Sequence, residues 1–384
     1  MFGTVSIQIS RPGSILIDFF LFFFLLSVCY QGLCVFLSYM FTQEKPKPKR
    51  ASIKFSQVKP LREVDLKTLE SIETFLAQSS VEEHDVFICS CASGPEDWLA
   101  RWPQVTWLQL HSDQRQNGKA ATLALAQERW VGDVFVISDA DMTCSAHYLS
   151  AVLGEFNEPN VGVVTALYRG TLDPDFTLGQ LLESLFILDF ACSVLAMNNW
   201  EGLNFAMGST MAIRRDTLRE IGGFEALQEY LADDFQLGSK ATSAGWRVAL
   251  SSSILGTNLG CLSLAQALSH QHRWMVTFRV TKPGAHFAFL FVQGLLWALL
   301  IGFLNLHLGM KLVFAWCVWR VVSGFFQSRN LAVPGCEHRV EEYVFLPLKD
   351  VVYLGLWFIA LFGQEVSWGG QKVRFDKAGR IKIL

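Results

Sequence analysis

An apolar run near the start of the chain sets the first constraint on the fold. Residues 15–41 read ILIDFFLFFFLLSVCYQGLCVFLSYMF, and Asp18 is the one charged residue among them. A helix of this length covers the roughly 30 Å hydrocarbon core of a bilayer at about 1.5 Å per residue. The apolar region of a cleavable signal peptide is shorter, about 7–15 residues, and ends at a small-residue cleavage site. Because the run is longer and no such site is clear, we predict a retained transmembrane anchor over residues 15–41.

The charges that flank this anchor indicate its orientation. Only Arg11 precedes it, whereas the linker TQEKPKPKRASIK follows it. The basic residues after the anchor are Lys45, Lys47, Lys49, Arg50 and Lys54. Cytoplasmic flanks carry the Lys/Arg excess, so we expect the N-terminus outside and the following region in the cytosol. The choice between a bacterial inner membrane and the Golgi membrane stays open.

The charge and the cysteines exclude other classes of protein. The formal net charge is −3, so no overall basic field points to nucleic acid as a partner. The nine cysteines contain no CxxC pair. We interpret them as reduced packing residues, in keeping with a cytosolic catalytic region.

Residues 50–275 alternate helix-like and strand-like segments. Leu66, Leu69, Ile72 and Phe75 recur at helical spacing, and apolar or alternating runs follow. The segments are a helix at 64–78, strands at 85–91 and 105–111, a helix at 117–130 and a strand at 132–141. Strands that alternate with helices favour an α/β domain with a mostly parallel sheet.

The chain becomes apolar again after this domain. We predict a membrane region at 284–363 with two or three apolar segments, followed by a basic tail at 364–384. The segments are 285–306, 309–326 and 344–363. Arg320 weakens the second as a span, because a mid-membrane charge costs several kcal/mol unless it pairs or reaches the interface. Three crossings would put the basic tail outside, against the positive-inside rule; which segment does not cross stays open.

The run VFVISDADM places Asp139 and Asp141 just after a buried strand. Ligands of open α/β sheets bind at the carboxyl ends of strands. Two carboxylates there can hold a divalent cation, Mg²⁺ or Mn²⁺, which in turn holds a diphosphate. The alternative is an acidic turn that caps the next helix.

Further candidates lie on either side of this motif. Asp233 and Asp234 are candidates for the carboxylate that takes a proton from an alcohol. The alternative is an acidic helix start, where carboxylates complement the helix dipole. Arg273 suits a phosphate, and His270 suits donation to a departing diphosphate. Trp274 suits stacking on a base or sugar, or the aromatic belt of a membrane. Lys119, after the turn in QNGKAA, suits a nucleotide phosphate contact or an exposed helix start.

The order of these motifs resembles the lipid-directed inverting glycosyltransferases of the GT-A fold. FSQVKPLREVDLKTLESIETFL (55–76) resembles the opening of ceramide glucosyltransferases and of the bacterial hopanoid-associated glycosyltransferases. The block 205–251, with Gly208 and the acidic pair, and the stretch 262–279, with the Arg-Trp pair, are similar to the same family. The likeness covers roughly residues 15–381.

The resemblance implies a GT-A domain at 50–275, a UDP-sugar donor, a lipid alcohol acceptor such as ceramide or a hopanoid polyol, and a divalent cation. Asp139 matches the second acid of the family and Asp234 the third, the base. Asp141 completes a DxD motif that rests on the wider GT-A pattern. Arg273 and Trp274 match the Arg-Trp pair, and His270 stands where Gln or Arg is usual. The sugar transferred is glucose or N-acetylglucosamine.

One position departs from the family pattern. The first acid of the family contacts the uracil, but here the matching place falls near Ser93 or Gly94, and the acids come later, at Glu96 and Asp97. Asp97 is therefore the candidate for contact with the uracil of the UDP-sugar donor. Besides a ceramide-type enzyme and an enzyme for another lipid, the departure leaves a third interpretation open, a non-catalytic membrane protein with a degenerate transferase domain. A processive polysaccharide synthase is disfavoured, because few apolar segments remain to build a channel.

Overall fold

The computed structural model describes residues 12–48, 53–62, 66–79, 84–110, 117–333, 339–368, 371–376 and 379–384. These residues form a mixed sheet covered by helices, a group of long apolar helices, and a small sheet at the end of the chain. The predicted α/β class is confirmed.

An eight-stranded sheet of order β3-β2-β1-β4-β7-β6-β8-β5 forms the core of the domain. Its strands are β1 (Phe55–Leu61), β2 (Asp85–Ser90), β3 (Val105–Gln109), β4 (Val134–Ile137), β5 (Met142–Thr143), β6 (Val161–Thr171), β7 (Met211–Arg214) and β8 (Arg247–Asn258). The half made of β3, β2, β1 and β4 is parallel, as predicted. β7 runs antiparallel to both β4 and β6, so the other half is mixed. The carboxyl ends of β1 and β4 therefore meet at one edge.

Helices pack against this sheet. They are α2 (Leu66–Leu76), α3 (Glu96–Arg101), α4 (Gly118–Ala126), α5 (Tyr148–Glu155), α6 (Leu178–Trp200), α7 (Arg215–Glu220), α8 (Asp233–Ser243) and α9 (Leu264–Thr281). The helices predicted at 64–78 and 117–130 correspond to α2 and α4. The long helix α6 was not predicted; it joins β6 to β7 and is largely buried within the protein.

The apolar segments form a second group of helices. They are α1 (Pro12–Gln43), which precedes the domain, and α10 (Pro283–Ala288), α11 (Gly294–Leu304), α12 (Leu306–Asn330), α13 (Glu341–Val344) and α14 (Leu346–Phe362), which follow it. Within the described residues, α1, α6 and α12 are long and apolar enough to cross a membrane, and α10 with α11 would add a fourth as one span bent by 57°. α1 packs against α11, α12 and α6.

Arg320, the charge that weakened 309–326 as a span, is fully buried and paired. Its Nε donates to Asp350 on α14 at 2.9 Å, and its Nη2 donates to Asp189 on α6 at 2.8 Å. Lys349 contacts both carboxylates, and Gln31 of α1 accepts from the Arg320 Nη1 at 3.0 Å. Two cations thus balance two anions in a cluster that joins four helices.

The tail, predicted only as basic, forms a three-stranded antiparallel sheet. Its strands are β9 (Glu365–Trp368), β10 (Gln371–Phe375) and β11 (Ile381–Ile383). The Ile381 amide donates to the Glu229 carbonyl at 2.8 Å, just before α8. Val373 and Phe375 pack in one cluster with Leu231 and with Met275 of α9. The tail therefore lies against the α/β domain.

Candidate active site

Asp139 lies at the carboxyl end of β4, whose four residues are all buried. Its amide donates to the Gly208 carbonyl at 3.1 Å. The ammonium of Lys59, from the neighbouring strand β1, is fully buried and donates to the Asp139 carbonyl at 2.9 Å. The backbone on both sides of the acid is therefore fixed, and its carboxylate emerges at the edge where strands β1 and β4 end.

Gly208 connects this acid to a second one. Its amide donates to Asp234 Oδ2 at 2.8 Å, while its carbonyl accepts from the Asp139 amide. A Cβ at Gly208 would overlap Asp139 Oδ2 and would lie 3.4 Å from Lys119 Nζ. Only a glycine allows the Asp139 carboxylate to lie against the backbone here.

Lys119 forms the cationic centre of the cluster. Its Nζ lies 2.5 Å from Asp139 Oδ1 and 3.5 Å from Asp233 Oδ2. The helix that carries it is capped by Asn117, whose side-chain oxygen accepts from the amides of Lys119 and Ala120. The Asn117 amide nitrogen also donates to Asp233 Oδ1 at 3.1 Å. One cap therefore fixes both Lys119 and Asp233, and the interpretation of Lys119 as an exposed helix start is wrong.

The two acids at the start of α8 have different partners. Asp233 is buried, accepts a hydrogen bond from Asn117 and forms an ion pair with Lys119. Asp234 is more exposed, and its two oxygens accept the amides of Gly208 and Phe235 at 2.8 and 2.7 Å. Both Asp234 contacts come from the backbone, which leaves lone pairs for a proton or a substrate hydroxyl.

Burial and mutual charge shift the titration of these groups. Burial raises the pKa of Asp139 to about 6, with Lys119 opposing the change and Asp141 adding to it. Burial and the neighbouring Asp233 raise the pKa of Asp234. Burial alone would lower the pKa of Lys119, but the charges of Asp139, Asp233 and Asp234 outweigh it and raise that pKa. The site therefore keeps a permanent cation among carboxylates that accept protons more readily than exposed ones.

Asp141 stands on the outer side of the cluster. It is exposed, and Thr257 of β8 donates to its Oδ2 at 2.9 Å. Among the described residues, no three His, Cys, Asp or Glu side chains converge as a metal-binding group. A donor set of two carboxylates nevertheless fits a hard divalent cation, which takes its other ligands from phosphate oxygens and water. Asp139 and Asp141 are the residues that would hold it.

The HQHRW stretch lies on α9. His270 Nδ1 is 2.6 Å from Glu183 Oε1 on α6. The Trp274 ring packs edge-on against His270 and Phe190, with centroids 5.2 and 5.6 Å away. In the described part of the chain no hydrogen bond holds the Arg273 guanidinium. Burial lowers the pKa of Arg273, while the charges of Glu183 and Asp234 oppose that change. Arg273 is therefore a cation that faces the acids and is available to an anion.

Tyr168 is a buried residue of β6. Burial raises the pKa of its hydroxyl, and the charges of Asp234, Glu183, Asp141 and Asp139 raise it further. Asp97, by contrast, is exposed in the first turn of α3, and the structure brings it to none of these groups. The contact of Asp97 with the uracil of the donor stays a prediction.

The sequence profile described as Glycosyl transferase family 21 matches residues 19–381. The chain belongs to this family. The resemblance to ceramide glucosyltransferases is thereby confirmed at the level of the family, and the chain is a glycosyltransferase by that membership.

A solved structure supports the GT-A fold. A mannosyltransferase from Pyrobaculum calidifontis, in complex with GDP-Man and Mn²⁺, is 15% identical, with a TM-score of 0.52 over 89% of this chain and 99% of that one. Glucosyl-3-phosphoglycerate synthase from Mycobacterium tuberculosis is 13% identical, with a TM-score of 0.34 over 54% of this chain and 71% of that one.

Several residues of the site were missed in the sequence. Asn117 carried a usable signal, because Asn directly before a helix start is a common cap. Lys59 is a lone cation within the buried strand FSQVKPL, and Glu183 is one of two acids in the apolar helix α6. Isolated charges in apolar segments indicate buried partners. Tyr168 had no such signal, since a tyrosine in a strand is ordinary.

Proposed function

We propose that this chain is a membrane-bound inverting glycosyltransferase that moves glucose or N-acetylglucosamine from a UDP-sugar to a lipid hydroxyl, ceramide being the preferred acceptor. The observation that carries this is the cluster at the end of β4, where Lys119 lies between Asp139 and Asp233 and Gly208 joins Asp139 to Asp234. The mannosyltransferase with GDP-Man and Mn²⁺ supports a nucleotide-sugar donor and a cation on this fold.

The reaction is a single displacement. The acceptor oxygen forms a bond to the anomeric carbon as the bond from that carbon to the diphosphate oxygen breaks, and the electron pair leaves with UDP. The hydroxyl proton passes to Asp234, whose raised pKa suits a general base. Attack opposite the leaving group inverts the anomeric centre.

The cationic residues act on the departing diphosphate. Arg273 lacks a hydrogen-bond partner among the described residues, so its guanidinium can bind phosphate oxygens bidentately. Lys119 adds positive charge near the diphosphate oxygens, and His270 adds a hydrogen-bond donor to them. A divalent cation bound at Asp139 and Asp141 would supply further stabilisation of those oxygens. Trp274 packs on His270 and is expected to border the sugar or the base.

The membrane helices explain how a lipid reaches this site. α9 carries Arg273 and leads directly into the apolar segments that begin with α10. The lipid head can arrive from the bilayer side while the UDP-sugar arrives from the cytosol. The basic flank after α1 supports a cytosolic domain, and Lys47 of that flank bonds Glu155 and Glu158 at 2.8 Å. A hopanoid polyol or another lipid alcohol is the alternative acceptor.

The test uses membranes that contain the protein, Mg²⁺ or Mn²⁺, and radiolabelled UDP-glucose or UDP-N-acetylglucosamine with ceramide or a hopanoid polyol. Label in the organic phase is the readout. Asp234→Asn should abolish transfer and leave UDP-sugar binding intact, whereas Asp216→Asn, an exposed acid on α7, should match the wild type. Preserved turnover in Asp234→Asn contradicts the base assignment. A wild-type protein that binds no UDP-sugar supports the non-catalytic interpretation.

A further inference from the structure

Glu183 is a buried acid that the mechanism above does not use. It is 1% exposed, on the second turn of α6. Its Oε1 lies 2.6 Å from His270 Nδ1, and its Oε2 is buried without a hydrogen-bond partner. A buried carboxylate is costly unless a cation or donor compensates it. Within the described residues, the His270 ring is the group that does so through a hydrogen bond.

The helix that carries Glu183 is held firmly against the start of α9. Thr177 and Gln180 form a capping box at its N-terminus, and the Thr177 hydroxyl donates to the Leu262 carbonyl. A Cβ at Gly179 would overlap the backbone of Leu262 and Ser263. The Glu183 side chain is therefore presented to α9 from a rigid element, which is what a positioning group requires.

We propose that Glu183 is a positioning residue that orients His270 toward the leaving diphosphate. The bond to Nδ1 fixes the ring and leaves Nε2, on its far side, for a phosphate oxygen. In the neutral ring Nδ1 then carries the proton; in the imidazolium Nε2 carries one as well and donates to the anion. The inference rests on the proposed function, because it assigns His270 to the diphosphate.

The position of Arg273 supports this role. Arg273 lies one helical turn after His270 on α9, and the charge of Glu183 opposes the effect of burial on its pKa. One carboxylate thus faces two neighbouring groups that are assigned to the same anion.

Glu183→Gln separates charge from shape, because the amide oxygen can still accept from Nδ1–H. With membranes and the lipid-transfer assay, we expect kcat to fall at least about tenfold while KM for the UDP-sugar changes less than about threefold, the pattern of an interaction strengthened in the transition state. Glu201→Gln, at the exposed end of the same helix, is the matched control and should keep wild-type kcat.

A double-mutant cycle tests whether Glu183 acts through His270. In a His270→Gln background, Glu183→Gln should change kcat less than about twofold, because the interaction has already been removed. An equal fall in both backgrounds, or wild-type kcat in Glu183→Gln, overturns the proposal. If Glu183→Gln unfolds at assay temperature, Glu183→Asp replaces it; the shortened carboxylate should lower kcat, and an unchanged kcat again overturns the proposal.

Failure of this inference is distinguishable from failure of the proposed function. If wild-type protein transfers sugar to lipid and Glu183→Gln is fully active, only the role of Glu183 is lost. If wild-type protein transfers no sugar to any acceptor and binds no UDP-sugar, the proposed function fails, and the role of Glu183 fails with it.

Discussion

Gly208 decides the geometry of the acids at the scale of a single residue. Its carbonyl holds Asp139, its amide holds Asp234, and the space of a missing Cβ is filled by the Asp139 carboxylate. We expect Gly208→Ala to displace Asp139 and to lower kcat/KM by about 10²-fold, the cost of misplacing a reacting group by about 1 Å. The measurement is the lipid-transfer assay on purified membranes.

The matched control for that change is Gly284→Ala on α10, where an added Cβ meets nothing within 4 Å and φ is not positive. It should retain wild-type transfer and wild-type thermal unfolding. Gly208→Ala with normal activity would mean that Asp139 tolerates another position, and the assigned role of the Gly208 contact would be wrong.

The residue scale also shows which parts of the site the sequence could predict. Asp139 follows a short buried run, so its place at a strand end was readable from local pattern. The meeting of Lys119 with Asp233 was not, because it depends on Asn117 bonding a residue more than one hundred positions later. Local periodicity carries no information on such pairs, and for the same reason the contact of Glu183 with His270 could not be predicted.

At the scale of elements, the four charges Arg320, Asp189, Lys349 and Asp350 hold α6, α12 and α14 together. Arg320→Met removes one cation and leaves the buried Asp350 and the partly buried Asp189 with Lys349 alone. Breaking a buried ion pair in this way costs roughly 3–5 kcal/mol. We therefore expect a clear loss of stability, measured as thermal or denaturant unfolding in detergent.

Lys311→Met, on an exposed position of the same helix, is the control and should unfold like the wild type. Adding Asp350→Asn to Arg320→Met restores charge balance between Lys349 and Asp189, so the double variant should be more stable than the sum of the single losses. Strict additivity would show that these charges do not act as one cluster.

Elements also differ in how far sequence pattern could place them. The bounds of the helix α2 and the strand β2 were predicted to within two residues, because the apolar pattern within each is sufficient. The helix α6 has apolar residues on nearly every side, so periodicity did not assign it a face. The strands of the tail are three to five residues long, too short for any period, and they form only through pairing with each other.

At the scale of the whole molecule, the tail determines which side of the membrane the chain ends on. β11 bonds the segment before α8 through Ile381 and Glu229, and β10 packs on α9. A strand that contacts the catalytic domain should lie on its side of the bilayer, so we expect the segments between α9 and β9 to cross an even number of times. The bent pair α10–α11 and the helix α12 are the candidates for these two crossings, and we predict that α14 does not cross.

Side-specific labelling in sealed vesicles tests this topology. Cys91 and Cys261 are two exposed thiols of the domain, and their reaction with a membrane-impermeant maleimide reports on which side the domain lies. An epitope added after Leu384 should be reached by protease or antibody from that same side. An epitope before Met1 should be reached only from the other side, because α1 separates it from the domain. A C-terminal epitope on the same side as the N-terminal one would require an odd number of crossings between α9 and β9. The contact of β11 with Glu229 could not then form in the membrane-bound protein.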